Sequence, residues 1–274
     1  MYHPANEQLS CICATCGTQY DPVNSLPGLC RICNDDRQYI GDAGQTWISW
    51  AALANDRTIR IQQLQPELFD LRITPSFAIG QKAHLLLSEA GNLLWDCLPF
   101  LDEPTIAFIR SKGGLRGIAI SHPHYYSLMN EWAAVFDCPV YLHANDRQWI
   151  MNPSDRLHRW SGETMPLWAN LSIVNTGGHF PGSCVLYAPH LSDGNGALLA
   201  GDSIYVTRDR RGLTFMYSYP NHLPLRRNAV EQIRDRVAPL AFDSIYGAFD
   251  WQRIDTNGHQ LFDESIWRYL AIFD

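Results

Sequence analysis

Five of the chain's eight cysteines fall within its first 33 residues, as Cys11, Cys13, Cys16, Cys30 and Cys33. Four of them form two Cys-x-x-Cys pairs, Cys13/Cys16 and Cys30/Cys33, with thirteen residues between the pairs. Pro4, Gly17, Pro22, Pro27 and Gly28 lie among them and hydrophobic periodicity is slight, so this stretch cannot build a core of its own. It needs an ion, cross-links or a larger body to fold against. Two pairs at this spacing can offer four thiolates to one tetrahedral ion at about 2.3 Å. Four thiolates close the coordination shell, so a zinc ion held there is structural and supplies folding free energy that burial cannot. Cys11 is surplus and could stand in for Cys13. Disulfides and unconnected thiols are the alternatives, and a reducing compartment argues against the first. A redox pair fits less well, since no helix follows either pair as it does in thioredoxin-type sites. Cys97, Cys138 and Cys184 are single residues among apolar neighbours.

A chain of 274 residues is long enough for one large domain with a small addition, here 1–42 as a zinc-ribbon-like module and 43–274 as the main body. With 46% hydrophobic and 18% charged residues and no long apolar run, the composition excludes disorder and a membrane-spanning helix. The formal net charge of −7 disfavours nucleic acid and anionic membranes as partners. A polar, turn-like opening with no leader pattern, and cysteines read as reduced, place the expected setting in the cytoplasm. Apolar runs at Leu85 to Leu87 and Leu93 to Trp95, split by Glu89-Ala90-Gly91-Asn92, predict a hairpin. Further strands are expected at Leu115 to Ile120, Val140 to Leu142, Leu171 to Val174, Ser183 to Tyr187, Ala197 to Ala200 and Ser244 to Tyr246. Helices are expected at Ile106 to Arg110, around Leu128 to Phe136 and around Val230 to Val237. A last helix would show Ile266, Tyr269, Leu270 and Phe273 on one face, with Asp263 as its cap. The order is that of an α/β or α+β sandwich of sheets covered by helices. Trp47 and Trp50 are placed to pack the small module on the large one.

Ten histidines are present, and His3, His84, His158, His190 and His222 read as ordinary surface or hydrogen-bonded residues. Ser121-His122-Pro123-His124 is different, because it follows a buried strand whose end can aim both imidazoles at one point. Gly177-Gly178-His179 and Gly201-Asp202-Ser203 likewise follow apolar strands. Three strand ends thus deliver three imidazoles and a carboxylate, a donor set suited to zinc or iron at about 2.0–2.2 Å.

This order of His-x-His, a glycine-preceded His 55 residues on and an Asp in a Gly-Asp turn resembles the metallo-β-lactamase fold superfamily, from about Thr46 onward. The runs Cys16 to Tyr20, Asp35 to Tyr39, Ser121 to Tyr126 and Phe215 to Pro220 are similar to an uncharacterised bacterial subgroup of it. The resemblance implies a four-layer αββα sandwich with a metal site between the sheets. It also implies that His122, His124 and His179 hold the first metal and that Asp202 is the carboxylate that normally bridges two. The superfamily's first motif is His-x-His-x-Asp-His, and this chain has Tyr126 and Ser127 where the second metal's ligands belong. No histidine stands near Tyr246 to Phe249, where the last ligand is expected, and His259 is too far along. One ion, zinc or iron, is therefore expected rather than two.

A single zinc can activate water for hydrolysis, which makes a metal-dependent hydrolase with a small-molecule substrate other than a β-lactam the first reading. Asp202, Tyr126 and His143 are the candidate catalytic groups. Tyr126 would act as a phenol donor or else pack on a helix; His143 would enter the site or else serve a structural hydrogen bond. Arg208, Arg211, Tyr217 and Tyr219 are candidate substrate-binding residues, with the arginines suited to an anion and equally at home in a solvated loop. Asp96 reads as a support for the ligands or a turn residue. The alternatives are a catalytically silent scaffold, with the cysteine module binding a protein partner, and a mononuclear iron enzyme.

Overall fold

The computed structural model describes residues 11–21 and 27–274; the polar opening, His3, Pro4 and Pro22 lie outside them. Apolar side chains alternate along the central strands and bury both faces of two sheets. The first sheet has seven strands in the order Leu157–Trp160, Val140–His143, Gly117–Ala119, Leu93–Trp95, Ala83–Leu86, Leu68–Thr74, Thr58–Gln65. The second has six, Thr164–Pro166, Ser172–Asn175, Cys184–Ala188, Ala197–Gly201, Ser244–Gly247 and Arg253–Ile254. Each sheet mixes parallel and antiparallel neighbours.

The alternation sorts the core into layers. Leu93, Trp95 and Ala119 of the first sheet meet Ile173, Leu186 and Leu199 of the second. Leu94 and Ile118 point the other way, toward α2 (Glu103–Ser111) and α3 (Met129–Phe136), which follow α1 (Trp50–Ala54). On the second sheet Val185, Leu198 and Ile245 face α4 (Arg227–Val237) and α5 (Gly258–Leu270). The result is the helix–sheet–sheet–helix sandwich that the order of elements implies. The expected hairpin forms, with Leu85 opposite Leu94 and Gly91 at φ +114 in its turn.

Two details depart from the sequence reading. Asp263 does not cap the last helix: α5 begins at Gly258 behind Asn257, because buried Gly258 and Phe262 extend its apolar face toward the N-terminus, and Asp263 pairs with His259 at 3.3 Å. Phe273 falls in a closing 3-10 turn and is exposed.

The cysteine segment forms a three-stranded sheet, Gln19–Tyr20, Cys11–Cys13 and Trp47–Ile48, in that order. Its Ile12, Cys13 and Ile32 share one apolar cluster with Trp50, Phe100 and Trp132 of the main body. Trp50 stacks on Phe100 and its indole N–H donates to the Leu101 carbonyl at 3.2 Å. Gln19 donates to Glu131 of α3 at 2.7 Å. Among the described residues no helix is long and apolar enough to cross a membrane.

Asp146, in the 3-10 turn Ala144–Trp149, ties the end of the first sheet to a loop of the second: its Oδ1 accepts from the Gly182 N–H at 2.9 Å. A Cβ on residue 182 would lie 2.7 Å from that carboxylate, so Gly182→Ala is expected to destabilise the fold by about 1–3 kcal/mol, read as a lower urea midpoint. Burial pushes the Asp146 pKa from 3.8 up to about 7, although the Gly182 N–H opposes the shift. The folded chain therefore holds a proton that the unfolded chain releases, and this contribution is full below about pH 4 and lost as pH rises through about 7. Asp146→Asn should flatten that decline, so that urea midpoints at about pH 4.5 and pH 8 lie closer together than in the wild type.

Candidate metal centre

Three loops bring the ligand set together. Ser172–Asn175 and Ala197–Gly201 both run antiparallel to Cys184–Ala188, so His179 and Asp202 emerge at the same end of the second sheet. His122 and His124 follow Gly117–Ala119 of the first sheet. Asp96, held at φ 66 after Trp95, accepts from the Ser121 backbone N–H at 2.7 Å and fixes the start of this loop. The Ser121 hydroxyl lies 2.8 Å from His122 Nδ1. Gly201, at φ +51, lets the Asp202 loop pass this close, since a Cβ there would stand 2.6 Å from Ser121 Oγ.

All four side chains are buried, and one donor atom from each lies within 4.8 Å of the others. Asp202 Oδ2 is 3.4 Å from His122 Nε2, 4.0 Å from His124 Nδ1 and 3.9 Å from His179 Nε2. His179 Nε2 and His124 Nδ1 are 3.4 Å apart. Ligands of a tetrahedral ion at about 2.0–2.1 Å stand roughly 3.3–3.4 Å apart, so the set needs only a slight contraction to close on one. His179 Nδ1 donates to the carbonyls of Tyr217 at 2.9 Å and Met216 at 3.3 Å, which leaves the Nε2 lone pair facing the centre. His122 Nε2, His124 Nε2 and Asp202 Oδ1 are buried with no hydrogen-bond partner among the described residues. Of the three, His122 Nε2 is one of the converging atoms, and an orphan at that point is costly unless something absent from the protein satisfies it. Burial holds His122 and His179 below the usual imidazole range, and His124 and His122 add their repulsion at His179. Burial opposes the Asp202 charge, yet His122 and His124 hold its carboxyl well below the usual range. Neutral imidazoles around an ionised carboxylate are the protonation state a metal requires.

The centre opens on a cavity of about 480 Å³. Tyr39, Tyr205, Tyr219, Phe249 and Trp251 give it an aromatic wall, and Ala14, Thr15, Arg37 and Gln38 of the cysteine segment complete the rim. Tyr205 stacks on Tyr219 at 4.3 Å and Phe249 on Trp251 at 5.2 Å. Tyr219 donates its hydroxyl to the Asp202 carbonyl at 2.7 Å.

The other candidates fall elsewhere. Tyr126 is buried in the larger apolar cluster and does not line the cavity, and Ser127 donates to the Cys97 carbonyl. His143 donates to the Gly162 carbonyl at 3.1 Å and accepts from the Asn145 N–H, the structural arrangement weighed for it. Arg208 lies 3.4 Å over the Trp251 ring, and it and Arg211 both line a separate depression against α5 rather than the cavity beside the histidines. Tyr217 packs under the Arg37 guanidinium and borders a different hollow. Phe249 occupies the region where a last histidine ligand was sought. Arg37, Gln38 and Tyr205 were not singled out individually from sequence, although the 35–39 run containing two of them was.

At the other end of the cysteine segment, Cys13, Cys16, Cys30 and Cys33 also converge within 4.8 Å, all buried. The Cys13–Cys33 and Cys16–Cys30 sulfurs are 3.6 and 3.7 Å apart, close to the roughly 3.8 Å edge of a tetrahedral thiolate site with bonds of about 2.3 Å. Without a cation the thiols oppose one another's ionisation. Donation from its neighbours holds Cys13 low and pushes Cys16 and Cys33 up in return. Cys11 stands outside the group.

No protein-family model matches the chain. The Bacillus subtilis (strain 168) protein YmaE is 41% identical over 261 residues, covering 94% of this chain and 95% of YmaE. Among solved structures, DIM-1 metallo-β-lactamase matches with a TM-score of 0.57 at 15% identity, over 78% of this chain and 97% of its own. The metallo-β-lactamase FIM-1 from Pseudomonas aeruginosa, in its mono-zinc form, matches at 0.56 and 13%, over 78% and 95%. These enzymes share the layered sandwich found here. With a relative matching almost end to end, the chain belongs to the family of YmaE, and its fold is that of the metallo-β-lactamases.

Proposed function

We propose that the chain is a metal-dependent hydrolase in which His122, His124, His179 and Asp202 hold a single zinc ion beside a cavity for a small-molecule substrate other than a β-lactam. The observation that carries this reading is the set of four buried donor atoms converging on one point beside the aromatic cavity, with His122 Nε2 among them lacking a hydrogen-bond partner among the described residues. A zinc ion held there supplies a nucleophile from water near neutral pH and polarises a carbonyl or phosphoryl oxygen. The chain's own residues do the rest. Asp202 stays ionised, and the His179 ring is oriented by two backbone carbonyls. Tyr205 takes the place first sought for Tyr126: burial and the nearby Asp202 raise its pKa, so it keeps its proton and can donate to a leaving group or an oxyanion. The stacked rings favour a substrate with an uncharged, planar or apolar body. Among the described residues Arg37 is the one cation on the rim, and its guanidinium is already engaged by Asp35 and the His179 carbonyl.

The cysteine site is proposed to hold a structural zinc, in a reducing cytoplasmic setting where its thiols persist. A catalytically silent scaffold is the second reading, favoured by the enclosure of Tyr126 and Ser127 in the core and by Phe249 on the cavity wall. Elemental analysis separates the readings. The wild type is expected to carry two zinc ions per chain and His122→Ala/His124→Ala one; a single ion in both would remove the enzyme reading, and one iron beside one zinc would replace the hydrolase with an iron enzyme. A screen of uncharged aryl esters and thioesters, with phosphodiesters as the anionic comparison, should find turnover that Tyr205→Phe lowers about a hundredfold in kcat with little change in KM.

A further inference from the structure

Two runs of sequence supply no metal ligand, Asp35-Asp36-Arg37-Gln38-Tyr39 directly after the second cysteine pair and Phe215-Met216-Tyr217-Ser218-Tyr219-Pro220. The fold interlocks them over His179. Arg37 Nε donates to the His179 carbonyl at 2.5 Å, and its Nη1 donates to Asp35 Oδ1 at 2.7 Å. The guanidinium lies 4.4 Å from the Phe180 ring centroid and 4.3 Å from that of Tyr217. Ser218 donates its hydroxyl to the Arg37 carbonyl at 3.0 Å, and the Asn221 amide donates to the carbonyls of Asp36 and Gln38 at 3.0 and 3.2 Å. The second run in turn accepts the His179 Nδ1 proton through Met216 and Tyr217. One holder grips the backbone of His179, the other grips its ring, and the two are bonded to each other.

The same strap leads directly to the cysteine cluster. Cys33 precedes Arg37 by four residues, and Ala14 and Thr15, between Cys13 and Cys16, join Arg37, Gln38 and Tyr39 on the cavity rim. The loop of the first cysteine pair and the run that follows the second therefore contribute to the wall of the histidine site. We propose that Arg37 is the positioning residue of that site, and that the four-cysteine cluster sets the affinity of the histidine site by anchoring the strap that carries Arg37. This rests on the metal reading above. A planar fork is required, because the group must meet a carbonyl and a carboxylate while lying between two rings, which the point charge of lysine cannot do. Partners that orient a ligand from outside the shell are worth about tenfold to a hundredfold in metal affinity.

Cobalt(II) is the probe, since a four-thiolate site gives a sulfur-to-metal charge-transfer band and an imidazole–carboxylate site does not, so both sites titrate separately in the intact chain. Arg37→Ala should keep the thiolate band in full and weaken the second site about tenfold to a hundredfold. Arg37→Lys should not restore it, and Asp35→Asn should shift it in the same direction by less. Cys30→Ser/Cys33→Ser should weaken the histidine site as well, although neither sulfur belongs to it. Wild-type affinity at the second site in Arg37→Ala would overturn the proposal, as would loss of the thiolate band in both Arg37 variants, which marks a folding role instead. Unchanged histidine-site affinity in the double cysteine variant would overturn the coupling. A wild type that takes cobalt at the thiolates alone would remove the metal reading itself, and the proposal with it.

Discussion

Three imidazoles and a carboxylate, buried with lone pairs turned toward one another, form an arrangement that the protein alone does not satisfy. Burial opposes charge on the His122 and His179 rings and on Asp202, yet the histidine contacts hold the Asp202 carboxyl well below its usual range. A cation at the centre would relieve both effects, because it pairs the carboxylate and takes up the imidazole lone pairs without requiring a proton on any ring. Much of the surrounding structure reads as support for this cluster. The Asp96 turn, the Ser121 bridge, the bare Gly201 and the carbonyls of Met216 and Tyr217 each fix one ligand's approach.

Much of this was legible from sequence because strand ends in a buried sheet leave characteristic marks. A short apolar run stopping at Gly-Asp or at Ser-His-Pro-His states both where a side chain emerges and that it emerges at a sheet edge. The two cysteine pairs were equally explicit. The long hairpin of Thr58–Gln65 and Leu68–Thr74 also carries a period-2 signal, in Ile59 and Ile61, but its many glutamines and charges obscure it.

The illegible part concerned direction. Tyr126 and Tyr205 are both tyrosines near ligands in sequence, yet the 3-10 turn after His122 leaves Tyr126 enclosed in the apolar core, whereas Tyr205 follows Asp202 onto the cavity wall. Arg208 and Arg211 follow Asp202 closely in sequence, but the loop turns both toward a depression against α5, with Arg208 also lying over Trp251. The role of Arg37 depends on contacts with residues about 140 and 180 positions away, which no local pattern encodes.

The two sheets are drawn from consecutive stretches of chain, the first from residues 58–160 and the second from 164–254. His122 and His124 belong to the earlier stretch and His179 and Asp202 to the later, so each half carries half of the coordination shell. As the chain emerges during synthesis, the site comes into being only when the second sheet docks on the first. An ion held there would be a check on assembly, reporting that two sequentially separate bodies have found their correct register.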